Sequence, residues 1–200
     1  MPTKRFEKLK SKKKQLILDS IKDCLEKKDI SSISVKDIAD EAEISRGTFY
    51  TYFTDIKDCV FTLIIFYLNQ FFENLKVAAN NNNGNFMKTI REEYKTFMDF
   101  LSNEKAIVIT RNLGSAMNIK MAVDYYTGLN KYSNDIYNWF SKETDIGRIL
   151  KEKYKVFSLL SLLNSAMMTA IIELSIGIDR KNIDKETFFK FDVLANSFKK

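Results

Sequence analysis

Two hundred residues, 45% of them hydrophobic, supply ample core for one large domain or two small ones. Six glycines and one proline are too little punctuation for a turn-rich β fold or a doubly wound α/β fold, which leaves an all-α protein as the expectation. Histidine is absent, so the commonest general base and the commonest metal ligand are both missing, and Cys24 and Cys59 lie far apart with no CxxC spacing. No metal site, no disulfide framework, no cofactor and no enzyme activity are therefore expected.

The net charge of +6 has one location. Residues 1–16 hold seven cations (Lys4, Arg5, Lys8, Lys10, Lys12, Lys13, Lys14) and one acid, Glu7, so this segment carries the whole imbalance. A basic arm on a neutral body suits a polyanionic partner such as nucleic acid or an anionic membrane surface, and it equally suits a solvated, frayed terminus. The opening "MPTKRFEKLK" lacks an apolar signal-peptide core, so a cytoplasmic protein is expected.

In chain order, Ile17, Leu18, Ile21, Cys24 and Leu25 mark one face of a helix over 12–28. Then "SVKDIADEAEISRGTFYTYFTD" contains three helix starts: Ser34, with Asp37 three residues on as a shortened capping box, then Ser45, then Thr54 or Asp55. Ile38, Ala39, Ala42 and Ile44 form a small apolar set between the first two caps. Two short helices crossing closely and braced by a longer one are a helix-turn-helix pattern. A long helix apolar almost all round follows from Asp55 to about Ala79 and ends in "NNNNG", Asn80 to Gly84. Later helices are predicted near 85–102, 104–112, 118–142, 153–177 and 184–198, separated most clearly at Asn103, "NLGS" and "IGIDRKNID".

The uncharged run 156–172, "VFSLLSLLNSAMMTAII", sits at the short limit for a membrane span, contains Asn164 and several hydroxyls, and is followed at once by Glu173. A helix buried on nearly every side within a bundle is the expectation, with no membrane partner. An interface between subunits would cover it most simply.

The stretch "ISRGTFYTYF", Ile44 to Phe53, carries the functional expectation. Phe49 and Phe53 share a helix face and form an apolar keel. Arg46, Gly47, Thr48, Tyr50, Thr51 and Tyr52 form a deck of hydrogen-bonding groups. A recognition helix brings its N-terminal residues nearest the base edges. Arginine there can bond guanine O6 and N7, and a threonine methyl can meet a thymine methyl. Gly47 costs about 1 kcal/mol relative to alanine in a helix and lets a duplex approach the backbone. The tyrosine and threonine hydroxyls suit phosphates, as does Lys57 on the first turn of the next helix. Ser34 and Lys36 are the candidate contacts on the preceding helix. Aromatic runs also suit a core, and the residues leave open whether Tyr50 and Tyr52 pack inward.

Residues 34–58, "SVKDIADEAEISRGTFYTYFTDIKD", resemble the DNA-binding signature of the tetracycline-repressor (TetR) family. Ile38, Ala39, Ala42, Ser45, Gly47, Thr48, Phe49, Tyr50, Tyr52, Phe53 and Lys57 occupy the signature positions. Two residues depart from it: Glu43 stands where the turn usually holds glycine, and Thr51 where histidine is frequent. A left-handed Glu43 would carry about 1 kcal/mol of strain.

The resemblance implies an N-terminal basic arm and helix-turn-helix domain over 1–56 and a helical ligand-binding and dimerisation domain over 57–200. It further implies a ligand-responsive regulator, most often a repressor, that binds a palindromic double-stranded DNA operator. The homodimer would form through the helices near 153–177 and 184–198. Tyr67, Phe71, Phe97, Leu101, Met117, Tyr125 and Trp139 are the candidate lining of an apolar inducer pocket, although such residues also make ordinary core. The rival expectation is a helical protein-interaction module whose helix-turn-helix head no longer reads DNA, because Asp37, Asp40, Glu41 and Glu43 place negative charge beside the deck.

Overall fold

The computed structural model describes residues 2–114 and 135–197, and every regular element among them is helical. The elements are α1 (Lys4–Glu7), α2 (Ser11–Lys27), a single 3-10 turn (Ile30–Ser32), α3 (Val35–Glu41), α4 (Arg46–Tyr52), α5 (Ile56–Asn81), α6 (Phe86–Leu101) and α7 (Glu104–Gly114). After them come α8 (135–143), α9 (Ile146–Ile149), α10 (Lys153–Ser175) and α11 (Arg180–Ser197). The all-α expectation holds throughout the described chain.

The chain divides into two compact units, 2–71 with 108–114 and 72–107 with 135–197. In the first, Ile17, Ile21 and Leu25 of α2 meet Ile38 and Ala42 and the keel residues Phe49 and Phe53, all of them essentially inaccessible. Cys59, Val60 and Leu63 of α5 and Ile109 of α7 complete this core, and the Asn112 side-chain amide donates to the Leu25 carbonyl at 2.7 Å. Each fully buried Phe, Leu or Ile stabilises the head by about 1.5–3 kcal/mol relative to exposure.

In the second unit, Tyr94 of α6 is fully buried with its ring edge-on to Phe188 and Phe191 of α11. Its hydroxyl donates to Asp184 at 2.8 Å, and Arg180 bonds the same carboxylate at 2.7 Å and Asp99 at 3.1 Å. Burial, and then the acceptor carboxylate, push the Tyr94 phenol up to about 12. A polar pin of this kind fixes the register of α11 on α6.

Three boundaries differ from expectation, each for a local reason. α5 runs on to Asn81, because Asn83 and Gly84 take left-handed φ of 51° and 73° and the Gly84 N–H returns to the Ala79 carbonyl at 2.8 Å. α11 starts at Arg180 rather than 184, because the Asp179 carboxylate accepts from the N–H groups of Lys181 and Asn182 and acts as its cap. α10 ends in a Schellman motif, with Gly177 at φ 87° and the Ile178 N–H bonded to the Glu173 carbonyl at 3.0 Å.

Within one chain α10 keeps open the flank that the sequence reading assigns to an interface between subunits. Val156, Leu159, Leu163, Ala166 and Ala170, spaced three and four apart, form its single buried face. Leu162 and Ile172 lie more than half exposed, and Phe189 and Val193 of α11 do the same. α10 is long and apolar enough to cross a membrane, yet 28% of its most apolar window is buried inside the chain. Among the described residues α11 and α6 pack against it, and Tyr137 of α8 stacks on Phe157 near its start, which leaves the opposite flank open in one chain.

The α5–α6 corner and the α8–α9 corner interlock. The Asp145 N–H donates to the Gly84 carbonyl at 2.9 Å, and its carboxylate accepts from the Phe86 N–H at 3.0 Å. A Cβ on Gly147 would collide with the Ser141 carbonyl oxygen, a backbone atom that has no rotamer to escape into. Gly147→Ala is therefore expected to destabilise the chain by about 2 kcal/mol or more, measured by urea denaturation. An unchanged midpoint would show that this corner is not tightly packed.

Candidate nucleic-acid interface

The interface is built on caps. Ser34 Oγ accepts from the Asp37 N–H at 3.2 Å, and the Asp37 carboxylate accepts from the Ser34 N–H at 2.8 Å, a complete capping box at the start of α3. The Ser34 hydroxyl, and then Lys28 at 2.9 Å, hold the Asp37 carboxyl far below the usual carboxylate range. Ser45 Oγ accepts from the Thr48 N–H at 3.0 Å and caps α4. Asp55 accepts from the Asp58 N–H at 2.7 Å at the start of α5, while Asp58 bonds back to the Thr54 N–H. All three starts expected from sequence are present.

Between α3 and α4 the chain turns through a second Schellman motif. Ile44 N–H reaches the Ala39 carbonyl at 2.9 Å and Glu43 N–H reaches the Asp40 carbonyl at 3.2 Å. The residue at the left-handed position is Glu43, φ 51°, where glycine would be free of strain. The left-handed turn is thus adopted by a side chain that disfavours it.

α4 then displays its residues on two sides. Phe49 and Phe53 point inward, their centroids 5.4 Å apart. Arg46, Gly47 and Tyr50 are exposed, Tyr50 at 52%, so its ring belongs to the deck and not to the core. Thr48 is half-buried, and its hydroxyl pairs with Ser45 Oγ at 2.8 Å, which leaves its methyl as the free group. A methyl added to Gly47 would meet only Ser45 Oγ, 3.7 Å away, so the fold itself does not require glycine there.

Thr51 and Tyr52 face another neighbour. Both are half-buried; the Thr51 hydroxyl donates to the Thr48 carbonyl at 2.6 Å, and Tyr52 packs edge-on to Phe6 with centroids 6.0 Å apart. Their carbonyls receive Thr3: its hydroxyl donates to Thr51 O at 2.7 Å and its N–H to Tyr52 O at 2.9 Å. Sequence reasoning does not single out Thr3 and Phe6. The available signal is a lone aromatic inside a run of cations. Lys36 and Lys57 are exposed, and the hydroxyl of Ser34 is occupied by Asp37.

Of the four acids beside the deck, Asp37 is paired with Lys28 and Glu41 with Lys27, both at 2.9 Å. Asp40 and Glu43 remain exposed. Of the inducer-pocket candidates, Tyr67 and Phe71 are half-buried in the first unit. Leu101 is buried in the second, with Phe97 and Trp139 half-buried there. Met117 and Tyr125 lie outside the described residues. No cluster of three metal-binding side chains occurs among the described residues.

Residues 17–63 match the family model of bacterial regulatory proteins, tetR family. The chain carries a TetR-family DNA-binding domain. Three solved structures share the fold. One is a protein from Pseudomonas aeruginosa PAO1 described as a transcriptional regulator, with TM-score 0.60, 13% identity, and 98% of this chain and 97% of that one covered. Another is described as a TetR-family transcriptional regulator from Mesorhizobium loti MAFF303099, with TM-score 0.58, 13% identity and coverage of 94% and 96%. The third is a TetR-family transcription regulator from Marinobacter aquaeolei VT8, with TM-score 0.54, 14% identity and coverage of 90% and 94%. No curated protein matches the chain in sequence. The TetR-type regulator fold thus spans nearly the whole chain. TetR-family regulators are DNA-binding transcription factors rather than enzymes.

Relieving the turn is the direct test of its strain. Glu43→Gly is expected to stabilise the protein by about 1 kcal/mol, a rise of roughly 2–4 °C in melting temperature, whereas Glu43→Ala gains nothing. Equal melting temperatures for Glu43→Gly and the parent would show that the turn stores no strain.

Proposed function

We propose that the protein is a ligand-responsive transcriptional regulator, acting as a repressor in the cytoplasm, that binds a palindromic operator as a homodimer. The observation that supports this most directly is α4. A capped helix is held from below by Phe49 and Phe53 and presents Arg46, Gly47, Thr48 and Tyr50 outward on a domain of the TetR family. In this reading Arg46 bonds a guanine edge, the Thr48 methyl meets a thymine methyl, and Gly47 admits the duplex. Tyr50, Lys36 and Lys57 bind phosphates and set register. Ser34 and Thr51, whose hydroxyls serve the head internally, and Tyr52, packed on Phe6, hold the helices in place.

Homodimerisation accounts for the exposed flank of α10 and α11. Leu162, Ile172, Phe189 and Val193 are large apolar groups open to water in one chain, and a second copy would cover them. Two heads would then read half-sites about 34–36 Å apart in successive major grooves. An inducer favouring a different head spacing would weaken DNA binding by the same factor by which DNA weakens the inducer.

The rival, an interaction module that no longer reads DNA, draws on acids near the deck. Two of those four acids are neutralised in ion pairs with α2 and the residue that follows it, which favours the DNA-reading alternative.

The deciding experiment is a titration against DNA from upstream of the protein's own gene, at near-physiological salt, with a shuffled duplex as control. A preference of about a thousandfold is expected; equal weak binding to these and to every fragment of a genome-wide selection would sink the reading. Arg46→Ala should cost about 1–3 kcal/mol of specific binding and relax base preference at one position per half-site. For the dimer, Phe189→Glu with Leu162→Glu should keep the helix content but sediment as a monomer. A sedimentation coefficient unchanged from the parent would place the interface elsewhere.

A further inference from the structure

The basic arm is not a frayed end. Thr3 caps α1 and bonds the last two carbonyls of α4, and Phe6, 4% exposed, packs 4.9 Å from Phe53 and 6.0 Å from Tyr52. The same ring thus touches the keel residue that holds the recognition helix. Around this anchor Lys4, Arg5, Lys8, Lys10 and Lys12 are exposed, with Lys13 and Lys14 half-exposed at the start of α2. Among the described residues none of Lys4, Arg5, Lys8 or Lys10 pairs with a carboxylate.

Holding seven cations together opposes folding, and the chain supplies Glu7 alone within the segment to offset them. The arm nevertheless has a built seat, an N-cap and a buried aromatic. Order of this kind, at the C-terminal end of the recognition helix, places a fixed block of positive charge on the same rigid body as the base-reading residues.

We infer that the docked arm is a phosphate clamp. While α4 reads base edges, Lys4, Arg5, Lys8 and Lys10 grip the DNA backbone flanking each half-site, adding affinity without sequence preference. This inference rests on the DNA-binding reading above. Because the arm is docked beforehand, its cations reach phosphate without the ordering entropy that a free tail would lose on binding.

The test uses the full-length protein and a duplex that the wild-type chain enriches from a random-sequence pool. Lys4→Gln, Arg5→Gln, Lys8→Gln and Lys10→Gln, combined, change surface groups only and leave Thr3 and Phe6 in place. The slope of log Kd against log salt is expected to fall by about 0.9 for each phosphate no longer gripped, so by about 1.8 or more, with the enriched sequence unchanged. A second variant, Phe6→Ala, retains all seven cations but removes the seat. It should weaken binding by roughly tenfold, about the cost of ordering one or two residues, with nearly the parent slope.

If the wild-type chain binds its enriched duplex and the glutamine variant shows the parent slope, the clamp is wrong and the recognition helix stands. If Phe6→Ala binds as tightly as the parent, pre-docking is wrong. If the wild-type chain enriches no duplex, the DNA reading falls and the clamp falls with it. If phosphatidylglycerol vesicles capture the parent but not the glutamine variant, while the DNA slope is unaltered, the arm serves a membrane surface and the inference is overturned.

Discussion

Everything at the reading end of this molecule depends on burying Phe49 and Phe53. They are four residues apart on and just after a seven-residue helix that could not persist alone, since isolated helices of that length are marginal even with ideal sequences. Their rings enter the core made by α2, α3 and α5, and in doing so they fix which residues α4 turns outward. The deck is a by-product of the keel. Capping by Ser45 and the turn at Glu43 set where the helix begins, but the two phenylalanines decide how it is rotated.

The same core recruits elements from far along the sequence. Phe6 reaches it from the N-terminal arm, and Ile109 reaches it from α7. A head assembled in this way has few independent parts. Moving Phe53 would disturb Phe6, and with it the seat of the basic arm. Chemistry on the outside of α4 and charge on the arm are therefore mechanically one object, although they are separated by some forty residues of chain.

Sequence makes the helix starts legible because caps are local: Ser34, Ser45 and Asp55 each act on a backbone group within three residues. The keel is equally legible, because its spacing is a property of one helix. Other features escape because their causes are distant. Whether Tyr52 lies in the core or on the deck depends on Phe6, forty-six positions earlier, and Tyr50 differs from it in lacking such a neighbour from the arm. α10 reads as apolar on nearly every side, but composition does not reveal which flank its own chain covers and which it leaves open. The start of α11 is hard to place because "IGIDRKNID" contains both a stop, Gly177, and a cap, Asp179, two residues apart. In the bare sequence only the stop stands out.

Gly47 shows where folding and function part company. A Cβ there would meet only one serine oxygen, and its helix would gain from alanine. The protein's own interior thus has room for a methyl group at this position. Alanine there would act as a feeler gauge, one methyl thick, for the clearance between this helix and whatever docks on it, without touching the packing beneath.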